Sequence, residues 1–358
     1  MDMVWAIGLM SGTSMDGIDA ALIKTDGVHV LEYGAAVSIP YEPAFRSRFQ
    51  AYLGTLSAPD DVINAFTDLN AEAVHQLIDR SNLSTEEVSI IGFHGQTLFH
   101  DAPNKITVQI GDGQRLADKC KIDVVNDFRS ADVAAGGQGA PFAPLYHQAL
   151  AQKIDGPIAV LNLGGVGNVT YINGDEILAF DTGPASALLD DWVREKTGVA
   201  FDEGGKIAQT GRVDETILKA LLDHPYFTKI PPKSLDRDDF SKSSLEHLSL
   251  EDGAATLTAF TVKSVALSRD HLPMEPRRWL VAGGGRHNIL MMQKIQTEMG
   301  NALVEPVENI GWRGDELEAE AFAFLAVRSR AQLPLSLPTT TGVPKPMMGG
   351  VFYKKAVI

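Results

Sequence analysis

A strand, a polar glycine-rich turn and a second strand occur twice in this chain, and that repeat limits the folds open to it. Residues 4–9 read as a buried strand, 11–17 as a turn of Gly, Ser, Thr and Asp, and 18–23 as a return strand. The unit comes back as a strand at 158–163, the turn Gly164-Gly165-Val166-Gly167-Asn168 and a strand at 169–172. The repeat predicts a diverged duplication, one copy per domain. With 358 residues the chain exceeds what one hydrophobic core usually organises, so two domains with a cleft between them are expected. Helical patterns at 59–80, 186–197, 253–268 and 315–330 alternate with short strand patterns at 88–93, 122–125 and 279–282, which predicts layered α/β domains. In the last helix Leu317, Ala321, Phe324 and Leu325 are spaced for one buried face. The run 134–141 interrupts any regular element and reads as a hinge or ligand loop. It places the boundary near 129–144, with a first domain at 1–130, joined by the C-terminal tail, and a second at 131–330. The proline-rich stretch 333–346 must pack over something or fray.

Charge excludes some partners. Thirty-one Lys and Arg stand against 46 Asp and Glu, and the net −15 repels a nucleic-acid backbone or an anionic membrane surface. It does not exclude a nucleotide, because backbone amides, a local cation and Mg²⁺ act at short range. Cys120 is the only cysteine, so an intrachain disulfide is ruled out and a reducing cytoplasm fits. No basic stretch precedes an apolar run near the N-terminus, and no run approaches the roughly 20 apolar residues of a membrane span. A cytoplasmic protein is expected, with a homodimer left open.

The first turn, within Gly8-Leu9-Met10-Ser11-Gly12-Thr13-Ser14-Met15-Asp16-Gly17-Ile18-Asp19, offers glycines that let an anion approach the backbone, hydroxyl donors, and a carboxylate, Asp16, able to hold hydrated Mg²⁺. A plain hairpin with Asx and Ser/Thr turns is the alternative. The common nucleotide fingerprints are absent: Gly204-Gly205-Lys206 has Ala200 and Ile207 where a P-loop needs Gly and Ser or Thr, and Gly165-Val166-Gly167 lacks a third glycine. The two turns and Gly283-Gly284-Gly285-Arg286-His287-Asn288 after a strand form a set. Two tips facing across a cleft can grip a polyphosphate, and a triple glycine at a strand end can admit a flat adenine. That is the plan of the actin, hexokinase and Hsp70-like ATPase fold. Asp181, in Phe180-Asp181-Thr182-Gly183-Pro184 between strand and helix, is placed to face the cleft, with a turn or cap role as the alternative. His94, Gln96 and Thr97, with Asp127 and Arg129, suit a hydroxyl-rich ligand carrying a carboxylate; pairing between their own loops is the other reading. His94 and His100 lack the spacing of a zinc site, and no zinc is expected.

Taken together these motifs closely resemble the anhydro-N-acetylmuramic acid kinase family. The match includes residues 8–19, 93–97, Gln109-Ile110-Gly111-Asp112-Gly113, 127–129, Gly136-Gly137-Gln138-Gly139-Ala140-Pro141, 162–168, 180–184, 283–288 and the Glu318-Ala319 helix. The resemblance implies a two-domain kinase with ATP and Mg²⁺ in the cleft. Gly12, Thr13, Ser14, Met15, Asp16, Gly17, Ile18 and Asp19 would surround the phosphates with Gly164, Gly165 and Asn168, while Gly283, Gly284, Gly285 and Asn288 would lie at adenosine. Asp181 would be the catalytic base, and Glu318 matches an acidic residue near the γ-phosphate, although a solvent-facing helix carrying Glu316, Glu318 and Glu320 is the other reading of it. The implied reaction opens 1,6-anhydro-N-acetylmuramic acid with water and phosphorylates O6, in recycling of peptidoglycan. Two rivals are a sugar kinase acting on a free hydroxyl and a non-catalytic ATPase sensor of the same fold.

Overall fold

The computed structural model describes residues 2–12, 15–235 and 239–356. Thr13 and Ser14 therefore lie outside the described residues. The chain divides into two compact units, Met1–Gln152 with Glu316–Ile358, and Lys153–Asp315. Among the described residues no helix is long and apolar enough to cross a membrane.

In chain order, the first unit begins with strands β1 (Val4–Met10), β2 (Gly17–Thr25) and β3 (Val30–Pro40), helices α1 (Pro43–Gln50) and α2 (Asp60–Arg80), and strand β4 (Val88–Phe93). The hairpin β5 (Gln96–Asp101) and β6 (Ile106–Ile110), helix α3 (Gly113–Cys120), strand β7 (Val124–Asn126) and helices α4 (Ser130–Ala134) and α5 (Pro144–Ala151) follow. The second unit holds strands β8 (Ile158–Leu163), β9 (Val166–Asn173) and β10 (Glu176–Pro184), then helices α6 (Ser186–Thr197), α7 (Glu215–Leu222) and α8 (Leu250–Ser268). It closes with strand β11 (Arg278–Ala282), helix α9 (Ile289–Met299) and strand β12 (Leu303–Pro306). The chain then returns to the first unit with α10 (Leu317–Arg330) and β13 (Val351–Tyr353).

The duplication expected from the sequence is present in the sheets. One has the order β13-β7-β4-β1-β2-β3 and the other β10-β9-β8-β11-β12. In each, three strands form an antiparallel meander, and two later strands add in parallel on the free side of the first. Only the edge strand β13 departs from the common plan. This is the two-domain α/β layout of the actin/hexokinase/Hsp70-like ATPase fold. β1 and β8 are flanked on both sides and covered on both faces, which is why they read as nearly unbroken apolar runs, interrupted in β8 only by Asn162. The first core is built on a ladder of Phe49, Phe66 and Phe93 rings, 5.5 and 5.9 Å apart, and the second on Trp192, Trp279 and Phe260.

Helix α10 corrects two expectations. Gly8 of β1 and Gly92 of β4 are register partners. A Cβ on Gly8 would lie 1.7 Å from the Ala319 carbonyl oxygen, and one on Gly92 2.0 Å from that of Phe322. The paired glycines thus open a groove in which α10 lies, so the helix belongs to the first unit and not to the second. It is buried around most of its circumference, not on one face, and Glu320 is fully enclosed with its carboxylate accepting from the Tyr146 hydroxyl at 2.6 Å. The unit boundary also moves, from 130 to 152. Residues 131–144 stay with the first unit because the buried Asp132 ties them down: it accepts from the Gly139 amide (2.7 Å) and from the hydroxyls of Ser336 and Thr341. The same bonds anchor the proline-rich tail, which packs with Leu335 and Val343 buried.

Candidate active site

In the first unit the β1–β2 tip is fixed from below. The Ser11 hydroxyl donates to Gln96 Oε1 at 2.6 Å and shares a 2.6 Å hydrogen bond with the Tyr41 hydroxyl. Gln96 Nε2 donates to the Gly12 carbonyl at 3.2 Å, and the Met15 amide reaches the same oxygen at 3.1 Å. Met15 adopts a left-handed conformation (φ 54°) and buries its side chain. Gln96, expected at the sugar, is fully buried and holds the tip from inside. Gly17 is required by packing, since a Cβ there would stand 2.3 Å from the Ile39 carbonyl oxygen, and Ile18 is a core residue. Asp16 is exposed, 3.4 Å from the Arg46 guanidinium. Asp19 sits in β2 opposite Met10 and Ser38, half-buried. Burial, with the Asp19 charge adding to it, pushes the Tyr41 phenol well above its ordinary range. Asp16 and Asp19 are the carboxylates of this tip. One or two carboxylates fit a magnesium ion that arrives on a nucleotide and keeps phosphate and water ligands.

The remaining first-unit residues lie on two loops that meet. His94 is buried, its Nδ1 donating to the Gly95 carbonyl at 2.8 Å and its Nε2 accepting from Arg129 at 3.0 and 3.2 Å. Burial and the Arg129 charge pull its pKa down to about 3, so it is a neutral acceptor. Arg129 also donates to the Gly139 carbonyl at 2.5 Å. The loop-pairing reading of this pair is therefore realised. Thr97 accepts from Gln109 at 3.2 Å. Asp127 has a left-handed φ of 50° and accepts from the Ser130 amide, a strained position for a residue with a side chain. His100 is satisfied by Thr107 and the Gln138 carbonyl. On α10 Glu318 is exposed in the first helical turn.

The second tip is tighter than expected: β9 begins at Val166, leaving Gly164 and Gly165 as the turn. Their carbonyls accept from the amides of Ala185, Ser186 and Ala187, which locks the tip onto the start of α6. Neither turn glycine is needed for space. A Cβ at Gly164 or Gly165 would meet only ordinary contacts, the nearest at 3.6 and 3.5 Å, and neither has a positive φ. Asn162, Asn168 and Asp181 are successive register partners across β8, β9 and β10, so they form one row at the end of the sheet.

Asp181 is 8% exposed. Its amide donates to the Lys233 carbonyl (3.0 Å), its carbonyl accepts from the Tyr226 hydroxyl (2.5 Å), and its Oδ2 accepts from the Leu235 amide (2.8 Å). The strand register slips between Asp181 and Gly183, and Gly183, at φ 149°, is pressed against Ser264, where a Cβ would come within 2.7 Å. The slip breaks the regular pairing just after Asp181. Of the triple glycine, Gly283 (φ 75°) and Gly285 are demanded by contact with Asn162 and Leu163, while a Cβ on Gly284 would meet nothing within 4 Å. Arg286 pins this turn through Glu308, Asp315 and the Gly283 carbonyl, and Asn288 caps α9 by accepting from the Met291 amide at 3.0 Å. The sequence reading missed Tyr226, Lys233, Arg286 and Glu320. The first two carry no motif around them, Arg286 is only part of the glycine motif, and Glu320, read with a solvent-facing helix, is in fact fully buried.

The chain matches the family model for anhydro-N-acetylmuramic acid kinase over residues 4–355. It is 53% identical to the anhydro-N-acetylmuramic acid kinase of Rhodospirillum rubrum, with 99% of this chain and 96% of that protein covered. It is 50% identical to the protein of the same name from Paramagnetospirillum magneticum, with 96% and 98% covered. A third, from Acidiphilium cryptum, is 51% identical over 96% of this chain and 97% of its own length. On a match of this extent, the chain belongs to the anhydro-N-acetylmuramic acid kinase family.

Proposed function

We propose that this enzyme uses ATP and water to convert 1,6-anhydro-N-acetylmuramic acid into N-acetylmuramic acid 6-phosphate and ADP, with Asp181 as the base. The observation that carries the reading is the grip on Asp181: three hydrogen bonds fix its main chain and one carboxylate oxygen, at the point where the strand pairing slips. Asp181 takes a proton from water as the water oxygen bonds to C1. The C1–O6 bond breaks, and O6 uses the released electron pair to bond to the γ-phosphorus while ADP departs. The β1–β2 tip and the Gly164-Gly165 turn would receive the phosphates, and the open face of Gly284 suits a flat base. Asp16 and Asp19 would hold magnesium, which neutralises charge on the transferring group. Arg129, oriented by His94, would receive the lactyl carboxylate of the sugar, with Asp127 and Thr97 on the same two loops for its hydroxyls. Asn168 and Glu318 complete the set as polar neighbours of the phosphates.

The test is ADP release with the anhydro sugar as sole acceptor, run on wild type and Asp181→Asn. The variant is expected to fold and to bind both substrates while losing nearly all turnover, because the amide keeps the shape but cannot take the proton. Retention of more than about a tenth of the activity removes Asp181 from the role.

A further inference from the structure

Lys233 is 7% exposed, and the buried surroundings of its ammonium include no carboxylate among the described residues. Nζ donates to the carbonyls of Tyr226 (3.1 Å) and Phe227 (3.4 Å), lies 3.2 Å from His271 Nε2, and sits over the rings of Tyr226 and Phe180 at 4.8 and 5.7 Å. Enclosing an ammonium this way is expensive, and a methionine would fill the same volume without the desolvation penalty. What the ammonium adds is a set of directed donors on backbone carbonyls of the Pro225–Thr228 turn. Burial, with Lys229 nearby, draws its pKa down to about 8, which leaves it charged at neutral pH.

The same two segments hold Asp181. The Lys233 carbonyl takes the Asp181 amide, the Leu235 amide reaches Oδ2, and the Tyr226 hydroxyl reaches the Asp181 carbonyl. Two chain segments thus close on one residue, and Lys233 is the side chain that ties them to each other.

We propose that Lys233 and Tyr226 are positioning residues for Asp181, the lysine ammonium clamping residues 233–235 onto the Pro225–Thr228 turn so that their backbone sets the carboxylate's direction. The proposal rests on Asp181 being the base. A base displaced by a fraction of an ångström still permits binding but aligns water poorly, so the loss falls on kcat.

Lys233→Met keeps the volume and removes the donors; Tyr226→Phe removes only the hydroxyl. In the coupled assay each is expected to lower kcat about ten- to a hundredfold with both KM values within about twofold of wild type and the thermal midpoint little changed. Wild-type kcat in both variants, or a loss carried by KM, overturns the proposal. If Lys233→Met does not fold, kcat of Tyr226→Phe decides. Asp181→Asn is measured in parallel: an active Asp181→Asn defeats the base assignment, whereas an inactive one beside two fully active clamp variants defeats only the clamp.

Discussion

Replacing Gly165 separates a glycine kept for the ligand from one kept for the fold. The Cβ of Gly165→Ala would stand 3.5 Å from the Ala187 Cβ, an ordinary contact, and the backbone there has no positive φ. The folded state therefore accepts alanine without strain, and the unfolded chain loses freedom, so stability should hold or rise by about 0.4–1 kcal/mol. For a unit of this size that is a thermal midpoint unchanged or raised by roughly 1–4 °C. A side chain on the outer surface of the turn keeps an anion from the amides, and losing one charge-assisted hydrogen bond costs about 1.5–3 kcal/mol. The KM for ATP should then rise about ten- to a hundredfold, with Gly165→Val at the upper end and the sugar KM unchanged. Gly183→Ala is the contrasting control: at φ 149° and 2.7 Å from Ser264, it should fold poorly. Initial rates at varied ATP, beside thermal melts, give both numbers. A folded Gly165→Val with wild-type ATP dependence, or a midpoint lowered by several degrees, refutes the reasoning.

Turnover in oxygen-18 water should place label at C1 of the product and none in its phosphate, while open N-acetylmuramic acid should be a poor acceptor; label in the phosphate, or equal use of the open sugar, sinks the mechanism. Gly8→Ala should lower stability by more than about 3 kcal/mol, seen as a lost or much earlier melt, because its Cβ would have to displace backbone of α10 on two sides. Burial holds His94 and His147 neutral with pKa values of about 3, against about 6.5 when unfolded. Their contribution is complete above pH 6.5 and is lost as pH falls from there toward 3, since the unfolded chain takes up the protons first. Stability measured by urea titration should fall by about 1.4 kcal/mol per pH unit for each of them below pH 6. A flat stability between pH 6 and 5 would contradict this.

The paired glycine-tipped units were legible because their strands are buried on both faces and read as continuous apolar runs. The repeated sheet plan follows from them. The place of α10 was not legible: the one-face spacing of Leu317, Ala321, Phe324 and Leu325 understates a helix buried around most of its circumference, and its partners, Gly8 and Gly92, lie more than two hundred residues away in sequence. The unit boundary was misplaced for a related reason. Glycines at 136, 137 and 139 look like a joint, but Asp132 makes them an internal loop bonded to the distant tail. At the site, Asp181 could be picked out by its turn chemistry, whereas Tyr226 and Lys233 could not, since what they contribute is a grip on carbonyls that any sequence presents. Gln96 and Arg129 stand out in the sequence as polar residues that follow strands, which reads as a sugar-binding pair and not as internal braces. Their bonds to Ser11, Gly12 and His94 arise only when the strands are side by side.

Because α10 fills the groove over Gly8 and Gly92, the first unit is completed by a segment made only after the whole of the second. On a ribosome, residues 1–152 would emerge with one sheet face bare and wait through the synthesis of the entire second unit, which is continuous in sequence and free to fold at once. The order of folding is thus inverted relative to the order of synthesis. A nascent chain stopped before 316 should carry a folded second unit beside an unfinished, sticky first one, so chaperone demand should peak there and vanish once residue 330 clears the tunnel.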